Sequence, residues 1–257
     1  MKLLKSLFLL LALPVVLVLL WWMSTITSPN FFVPTPSELI GTFFDTWFGD
    51  RFTKDILPSI GRLFLGIAGS IIIGAGLGLL IGSFKTVRKL LEPLLEFFRA
   101  IPPPVLLPLL MIIIGVNWRM QVFVIIFGSL WPVLLNTVEG VRATDEVQRD
   151  TARSYGLGRL HRLRYLVLPA AAPQILAGVR QCLSIALILM VISELWYTAS
   201  GLGFTIVQFQ RNFAIPEMWS GILVLGLIGL ALAVIFRYIE RYILRWYYGL
   251  REVQRES

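Results

Sequence analysis

Polar residues that stand inside apolar stretches are the first candidates for chemistry in this chain. A polar side chain in hydrocarbon is costly unless it binds something or pairs with a neighbour. Four such positions are Asn136, Gln181, Ser184 and Glu194. Each could line a polar pathway through a membrane. The alternative for each is hydrogen bonding between helices, and Glu194 could also lie at a membrane interface.

Catalytic groups, by contrast, do not assemble into any pattern that we recognise. The chain has no Gly-x-x-x-x-Gly-Lys-Ser/Thr loop for nucleotide phosphates, and no paired carboxylates or Ser/His/Asp arrangement stands out. His161, the one histidine, lies among arginines and is read as a surface residue, while Cys182 lies in an apolar run as a small packing residue. The sequence therefore predicts no catalytic site, no metal site and no cofactor held by this chain.

One long polar segment interrupts the apolar sequence, and it is rich in arginine. So many cations cannot lie in hydrocarbon, and the positive-inside bias places them in the cytoplasm. Within the segment, Asp145 is suited to cap a helix, with Gln148 in the capping-box position, and Gly156 suits a helix C′ position with positive φ. A solvated loop between two spans is the alternative to a docking element. The arginines are Arg142, Arg149, Arg153, Arg159, Arg162 and Arg164.

Composition identifies the class of protein. The chain has 257 residues, of which 57% are hydrophobic and 15% charged, with a mean hydropathy of +0.79. Soluble domains are nearer one quarter charged, so an ordinary soluble fold is excluded. The net charge of +8 would suit a nucleic-acid binder, but the cations cluster between and after apolar runs. The sequence predicts an all-α integral membrane protein that crosses the bilayer several times.

Six transmembrane helices are expected, with both termini in the cytoplasm. This topology places 18 of the 23 Lys and Arg residues on the cytoplasmic side. The first span ends in Trp21-Trp22 and lacks a clear small-x-small site, which favours an uncleaved span over a cleaved signal peptide. The expected spans are about 7–23, 56–84, 101–115, 121–141, 172–196 and 218–238.

Several local patterns add detail to this topology. Ser37 is expected to cap a short external helix that ends near Phe48, and residues 197–216 are expected to be external, with a turn at 200–203. Pro102-Pro103-Pro104 predict a break before the third span. Small residues recur every fourth position in the second span and predict a helix-packing ridge; they are Gly66, Ser70, Gly74, Gly78 and Gly82.

The polar loop resembles the EAA loop of ABC-importer permeases. That pattern is Glu-Ala-Ala, three residues, Gly, nine residues and Ile-x-Leu-Pro. Asp150-Thr151-Ala152 stand for Glu-Ala-Ala, and Gly156 is in place. Leu166 replaces Ile, Leu168-Pro169 match, and Arg153 lies within the motif. Thr151, in place of the first Ala, is the largest departure from the family pattern, because that family position packs closely against the ATPase. The resemblance implies that these residues couple the chain to a separate ATPase.

From residue 31 to 250 the chain resembles the nitrate/taurine/sulfonate (NitT/TauT) group of these permeases. The motifs are Val33-Pro34-Thr35-Pro36-Ser37-Glu38, residues 90–103, 132–142 and 194–204. The resemblance implies a type I ABC importer permease fold in a bacterial inner membrane. It divides the chain into an N-terminal helix and periplasmic segment at 1–55, a transmembrane domain at 56–250 with its EAA loop at 145–169, and a cytoplasmic tail at 251–257.

The same resemblance implies a set of partners. These are two ABC ATPase subunits that hold ATP and Mg²⁺, a second permease copy, and a periplasmic or lipid-anchored substrate-binding protein. The implied substrate is a small anion or organic acid (sulfonate or taurine, nitrate, bicarbonate, aromatic acid) or a heterocycle like a thiamine precursor. The alternative is a self-sufficient secondary transporter or channel, which predicts inverted repeats and coupling-ion carboxylates near the midplane. No repeat of the two halves is evident, and Glu194 is the one nearby carboxylate.

Overall fold

Helices make up almost the whole described chain. The computed structural model describes residues 2–28, 30–196, 200–247 and 249, with side chains from Ala12 onward except Trp196 and a few near the gaps. The helices are α1 Lys2–Thr27, α2 Pro36–Trp47, α3 Leu57–Ser83, α4 Lys85–Ala100, α5 Leu107–Ile114, α6 Trp118–Arg142, α7 Glu146–Ser154, α8 Arg159–Arg162, α9 Leu168–Trp196, α10 Leu202–Arg211 and α11 Ile215–Ile243.

The chain divides into two compact units. The first unit consists of Met1–Pro58 and Ala199–Leu227, and the second of Ser59–Thr198 and Ile228–Ser257. The long helices α3 and α11 therefore each contribute to both units. The division cuts across the linear order, since the first unit joins an early segment to a late one.

In the first unit, α2 begins at a different residue from the expected one. Thr35, and not Ser37, is the N-cap, and its hydroxyl accepts a hydrogen bond from the Glu38 backbone N–H. Pro36 occupies the first helical position, where its fixed φ is favourable and its missing N–H costs nothing. At the other end, the Trp47 indole N–H donates to the Ser220 hydroxyl at 2.9 Å inside the unit.

The segment after residue 200 contains a helix that the sequence analysis did not predict. Helix α10 occupies most of the stretch that was predicted as an external connection, and residues 197–199 lie outside the described residues. Its buried side chains include Leu202, Ile206 and Phe209, which recur at helical spacing. The predicted turn is present just before it, where Gly201 has a φ of +123°.

In the second unit, the small residues of α3 lie against α6. A Cβ placed on Gly78 would lie 2.8 Å from the Leu134 carbonyl oxygen, so the two backbones approach closely. Ser70 takes the middle of the ridge and its hydroxyl lies 2.7 Å from that of Ser129. The ridge thus faces α6 along its length; its other contacts are Gly66 with Ile125, Gly74 with Val133 and Gly82 with Val141.

Helices α6 and α9 form a second close pair. A Cβ on Gly178 of α9 would lie 2.6 Å from the Pro132 carbonyl oxygen of α6 and 2.9 Å from the Asn136 Cβ. Small residues at this crossing let two backbones meet in a setting where lipid provides no hydrophobic drive for association. Val133 and Cys182 are buried beside it. The expectation that Cys182 packs as a small residue is thereby confirmed.

The apolar helices give four spans, or five with a broken one. Within the described residues, the helical stretches long and apolar enough to cross a membrane are Phe52–Ser83, Trp118–Arg142, Arg159–Leu195 and Ile215–Ile243. Helix α4 and the stretch Pro103–Ile114 qualify only together, and they are bent by 81° at the predicted proline break. The expected first span lies within α1, whose stretch Ala12–Thr27 is apolar but shorter than the four spans. Six spans and cytoplasmic termini therefore remain predictions.

Candidate functional site

The polar loop between α6 and α9 is built from two short helices with well-formed ends. Asp145 caps α7, since its carboxylate accepts hydrogen bonds from the backbone N–H groups of Val147 at 2.7 Å and Gln148 at 3.4 Å. Gly156 follows the helix with a φ of +70°. Both local predictions are confirmed, so the loop is an ordered helical element.

The end of α7 is a Schellman motif. The Leu157 N–H donates to the Ala152 carbonyl at 3.1 Å, and the Gly156 N–H donates to the Arg153 carbonyl at 2.9 Å. These bonds satisfy carbonyls that the helix itself leaves free and reverse the chain direction sharply. Helix α8 and a π-helical turn, Leu163–Val167, then lead into α9.

The loop buries one of its EAA-like residues and exposes the others. Ala152 is only 7% exposed, while Asp150, Thr151 and Arg153 are exposed, and the Thr151 hydroxyl bonds the Val147 carbonyl at 2.7 Å. Several apolar side chains of the loop are also exposed, and the most exposed are Tyr155 at 81% and Val147 at 73%. Leu166, Leu168 and Pro169 are half-buried where α9 begins.

One arginine ties α7 to the preceding long helix. The Arg149 guanidinium donates to the Val141 backbone carbonyl in the last turn of α6. A cation at a helix C-terminus is favourable because the free carbonyls there carry partial negative charge. The loop is thus attached to α6 by a side-chain bond as well as by the chain, and to α9 through continuous helical turns.

The four polar residues expected near a pathway do not share one environment. Glu194 is fully buried, Asn136 is half-buried, and Gln181 and Ser184 are exposed. The Asn136 amide donates to the Pro132 carbonyl within its own helix at 2.8 Å. Ser184 lines a cavity of about 210 Å³ in the second unit, together with Arg180 and Arg237.

Glu194 is held by partners that the sequence reading did not connect to it. Its carboxylate accepts a hydrogen bond from the Ser59 hydroxyl at 2.8 Å and forms an ion pair with Arg62 at 2.7 Å. The Arg62 side chain is only 12% exposed. Ser59 and Arg62 lie three apart on α3, so both project from one helix face toward α9. No sequence pattern links Arg62 to Glu194, which lie 132 positions apart, so the pair becomes apparent only in the fold.

A second ion pair joins α9 to α11. Arg180 pairs with Glu240, and most of the Arg180 side chain remains exposed beside the cavity that Ser184 lines. The ion pair links α9 to α11. The cavity is also lined by Arg237, so its lining remains basic.

The first unit carries a polar cavity of its own. It has a volume of about 380 Å³ and is lined by Asp45, Asp50, Arg51 and Glu217 among others. The Lys54 ammonium lies 2.9 Å from the Asp50 carboxylate and lowers the pKa of that carboxyl below its ordinary value. This pair is fully exposed, so solvent screens it and it adds little to stability.

A comparison with known protein families identifies the family of the chain. Residues 70–247 match the family described as "Binding-protein-dependent transport system inner membrane component". The match spans more than half of the chain and includes the loop, the glycine-lined contact of α3 with α6, and the α6–α9 pair. The chain belongs to this family of inner-membrane permease components.

Named relatives fall in the expected group. The taurine transport system permease protein TauC of Escherichia coli is 28% identical over 90% of this chain and 87% of its own length. The putative aliphatic sulfonates transport permease SsuC of Bacillus subtilis is 30% identical over 83% of this chain and 78% of its length. The bicarbonate permease CmpB of Synechococcus elongatus is 30% identical over 74% of this chain and 68% of its length. The resemblance to the NitT/TauT group is confirmed.

Solved structures show the same fold. The MetNI methionine ABC transporter, in inward-facing conformations, matches with a TM-score of 0.63 at 16% identity and covers 74% of this chain and 94% of the matched chain. An amino acid ABC transporter crystallised with histidines matches with a TM-score of 0.58 at 19% identity, over 81% and 95% of the two chains. The predicted type I ABC importer permease fold is confirmed.

These findings define what the chain does in outline. It is a multi-pass inner-membrane permease of an ABC transporter, and ATP hydrolysis belongs to a separate ATPase subunit. Family membership also implies partnership with that ATPase and with a substrate-binding protein. The number of subunits, the docking residues and the substrate are finer questions.

Proposed function

We propose that two copies of this chain form the translocation pathway of an ATP-driven importer for a small anion. Two ATPase subunits dock on the loop at 145–169, and a periplasmic or lipid-anchored binding protein delivers the substrate from outside. ATP and Mg²⁺ are held by the ATPase partner, and this chain binds no cofactor. The exposure of Val147 on α7 and Tyr155 at its C-terminal end carries the docking assignment.

The connections of the loop to α6 and α9 suggest how a movement of the ATPase is transmitted to the transmembrane helices. ATP binding closes the ATPase pair, the loop moves with it, and α6 and α9 follow because the loop is bonded to one and helically continuous with the other. The transmembrane helices thereby exchange inward-open and outward-open states, and hydrolysis resets them. A loaded binding protein stimulates turnover only by binding one of the two states more tightly.

The EAA-like residues are proposed either to contact the ATPase or to support the loop. Asp150, Thr151 and Arg153 are exposed and contact the ATPase, whereas Ala152 is buried and holds α7 in place. Gly156 sets the reversal after α7, and the remaining residues, Leu166, Leu168 and Pro169, join the loop to α9.

A small anion or organic acid is the proposed substrate class. The relatives are named for taurine, aliphatic sulfonates, bicarbonate and nitrate, which are all small and all but taurine anionic. Arg180 and Arg237 give the cavity beside Ser184 a basic lining that suits such a solute. Gln181 is exposed one residue from Arg180 and is assigned to the same pathway, with Asn136 near its cytoplasmic end. Aromatic acids and thiamine-precursor-like heterocycles belong in the test panel.

Reconstitution tests the proposal against the alternative of a self-sufficient transporter or channel. The chain is co-purified with its ATPase, placed in liposomes with ATP inside, and supplied with the binding protein and labelled sulfonates, nitrate, bicarbonate, aromatic acids or thiamine precursors. We expect uptake only when ATPase, ATP and binding protein are all present. Uptake by the chain alone, driven by an ion gradient, would contradict the proposal.

A further inference from the structure

A cavity lined by arginines and apolar side chains lies between the loop and the ends of α3 and α6. It has a volume of about 520 Å³, and four arginines contribute to its lining: Arg149, Arg153, Arg159 and Arg162. The lining contains no carboxylate. Four guanidinium groups around one cavity create a positive potential that attracts anions.

The charges of these arginines are only partly compensated. Arg153 pairs with Asp150 at 3.0 Å, on the exposed surface. Among the described residues, no carboxylate lies within 4 Å of the guanidinium nitrogens of Arg149, Arg159 or Arg162. The Nε atoms of Arg149 and Arg162 are also buried without a hydrogen-bond partner. Burying such donors is costly unless an anion compensates their charge.

Apolar side chains complete the cavity on the side of the transmembrane helices. Ser83 and Phe84 lie at the end of α3 and Val141 at the end of α6, so the cavity opens where two spans leave the bilayer. Leu160 also lines it and is 72% exposed. Cations beside exposed apolar side chains at a span end match the two parts of a phospholipid, its phosphate and its acyl chain.

We propose that this cavity binds the phosphate group of an anionic membrane phospholipid. Arg149, Arg159 and Arg162 hold the phosphate, and an acyl chain lies along Phe84 and Leu160. Basic pockets between spans on the cytoplasmic side are suited to such headgroups. The bound lipid supports the loop from the membrane side, at the element that links the permease to its ATPase.

A docked acidic segment of the ATPase is the competing occupant, and the geometry favours the lipid. Arg153 lines the cavity and is also assigned to ATPase contact, but the exposed apolar docking residues, Val147 and Tyr155, are not part of the lining. The lining joins loop residues to Ser83, Phe84 and Val141 at the ends of α3 and α6, so the cavity adjoins two expected span ends, where lipid of that leaflet lies.

The test uses the complete permease–ATPase complex in nanodiscs of phosphatidylcholine with a minor fraction of phosphatidylglycerol. Lipid retained after detergent stripping is measured by native mass spectrometry for wild type, for Arg159→Gln/Arg162→Gln and for Arg164→Gln. Arg164 is the matched control, since it lies in the same loop, is exposed and does not line the cavity. We expect wild type and the control to retain phosphatidylglycerol selectively, and the double variant to lose roughly tenfold in selectivity.

Three results would overturn the proposal. The first is equal selectivity in the double variant and wild type, and the second is an equal loss in Arg164→Gln. The third is displacement of the lipid from the complex by millimolar inorganic phosphate, or selective retention only after the ATPase has been stripped off, which would assign the cavity to a soluble anion or to the partner. If the double variant does not assemble with the ATPase, each single variant is measured, and a partial loss of selectivity is expected in both.

Discussion

Gly156 shows how one residue can set the geometry of the polar loop between α6 and α9. Its φ of +70° lies in the left-handed region, which residues with a Cβ rarely adopt. No heavy atom lies within 4 Å of where its Cβ would be, so backbone conformation and not space requires glycine here. Gly158, two residues later, also has open space but has a φ of −61°, which any residue adopts.

This difference supplies a matched pair of variants. We predict that Gly156→Val strains the Schellman motif by about 1–3 kcal/mol, shifts α7, and lowers the amount of substrate imported per ATP hydrolysed. Gly158→Val should leave that ratio close to wild type. Uptake and phosphate release, measured together in proteoliposomes, give the ratio. Equal coupling in the two variants would show that the loop geometry does not matter for docking.

The buried pair of Arg62 and Glu194 permits a test between a structural and a pathway role for Glu194. Removing one partner of a buried ion pair leaves an uncompensated charge, at a cost of about 3–5 kcal/mol. We predict that Glu194→Gln lowers the thermal unfolding midpoint in detergent, and that Arg62→Met/Glu194→Leu recovers much of the loss. If Glu194→Gln instead unfolds like wild type and changes only the uptake rate, Glu194 belongs to the pathway.

At the scale of helices, close contact between α3 and α6 depends on missing side chains. A Cβ on Gly78 would lie 2.5 Å from the Thr137 Cβ and 2.8 Å from a backbone oxygen, whereas a Cβ on Gly76 of the same helix meets nothing within 4 Å. A backbone oxygen cannot rotate out of the way as a flexible side chain can. The two helices must therefore separate if Gly78 gains a methyl group.

Gly78→Ala and Gly76→Ala consequently make a second matched pair. We predict that Gly78→Ala destabilises the protein by about 1–3 kcal/mol through overpacking. Gly76→Ala should be neutral or slightly stabilising, because alanine favours a helix over glycine. Thermal unfolding of the purified chain in detergent measures both. Equal midpoints for the two variants would contradict the close contact with α6.

The accuracy of the sequence predictions depends on whether their cause was local. The Asp145 cap, the positive φ of Gly156 and the break at Pro102-Pro103-Pro104 arise within a few residues, and all three were predictable. The expected cap was Ser37 and the actual cap is Thr35, because Pro36 is favoured at the first helical position. Helix α10 was missed although Leu202, Ile206 and Phe209 follow its period, because the stretch is short and begins after a glycine turn.

Contacts between distant residues were harder to predict than local structure. Nothing in the sequence alone pairs Arg62 with Glu194 or gathers Arg149, Arg159 and Arg162 around one cavity. The spacing of small residues in α3 did indicate a packing face, but not that α6 would cover it. These contacts follow from the tertiary arrangement of the helices, which hydropathy and periodicity do not specify.

At the scale of the whole molecule, the proposed function assigns a pathway and a docking element to a chain whose sequence has no ATP-binding loop. In the polar loop, Asp145 caps α7 and Arg149 bonds to the end of α6, while α8 and the π-helical turn lead directly into α9. Movement imposed on the loop therefore reaches the transmembrane helices. Import therefore requires that the loop face the cytoplasm and touch the ATPase. This requirement is the central claim.

Photo-crosslinking in the assembled complex tests that claim most directly. A photoreactive amino acid is placed at Val147 or Tyr155, both exposed on the loop, and at Trp118, which is exposed at the expected outer end of α6. We predict covalent adducts with the ATPase from Val147 and Tyr155 and none from Trp118. Absence of ATPase adducts from both loop positions, or labelling of the loop by a reagent confined to the outer side, would contradict the claim.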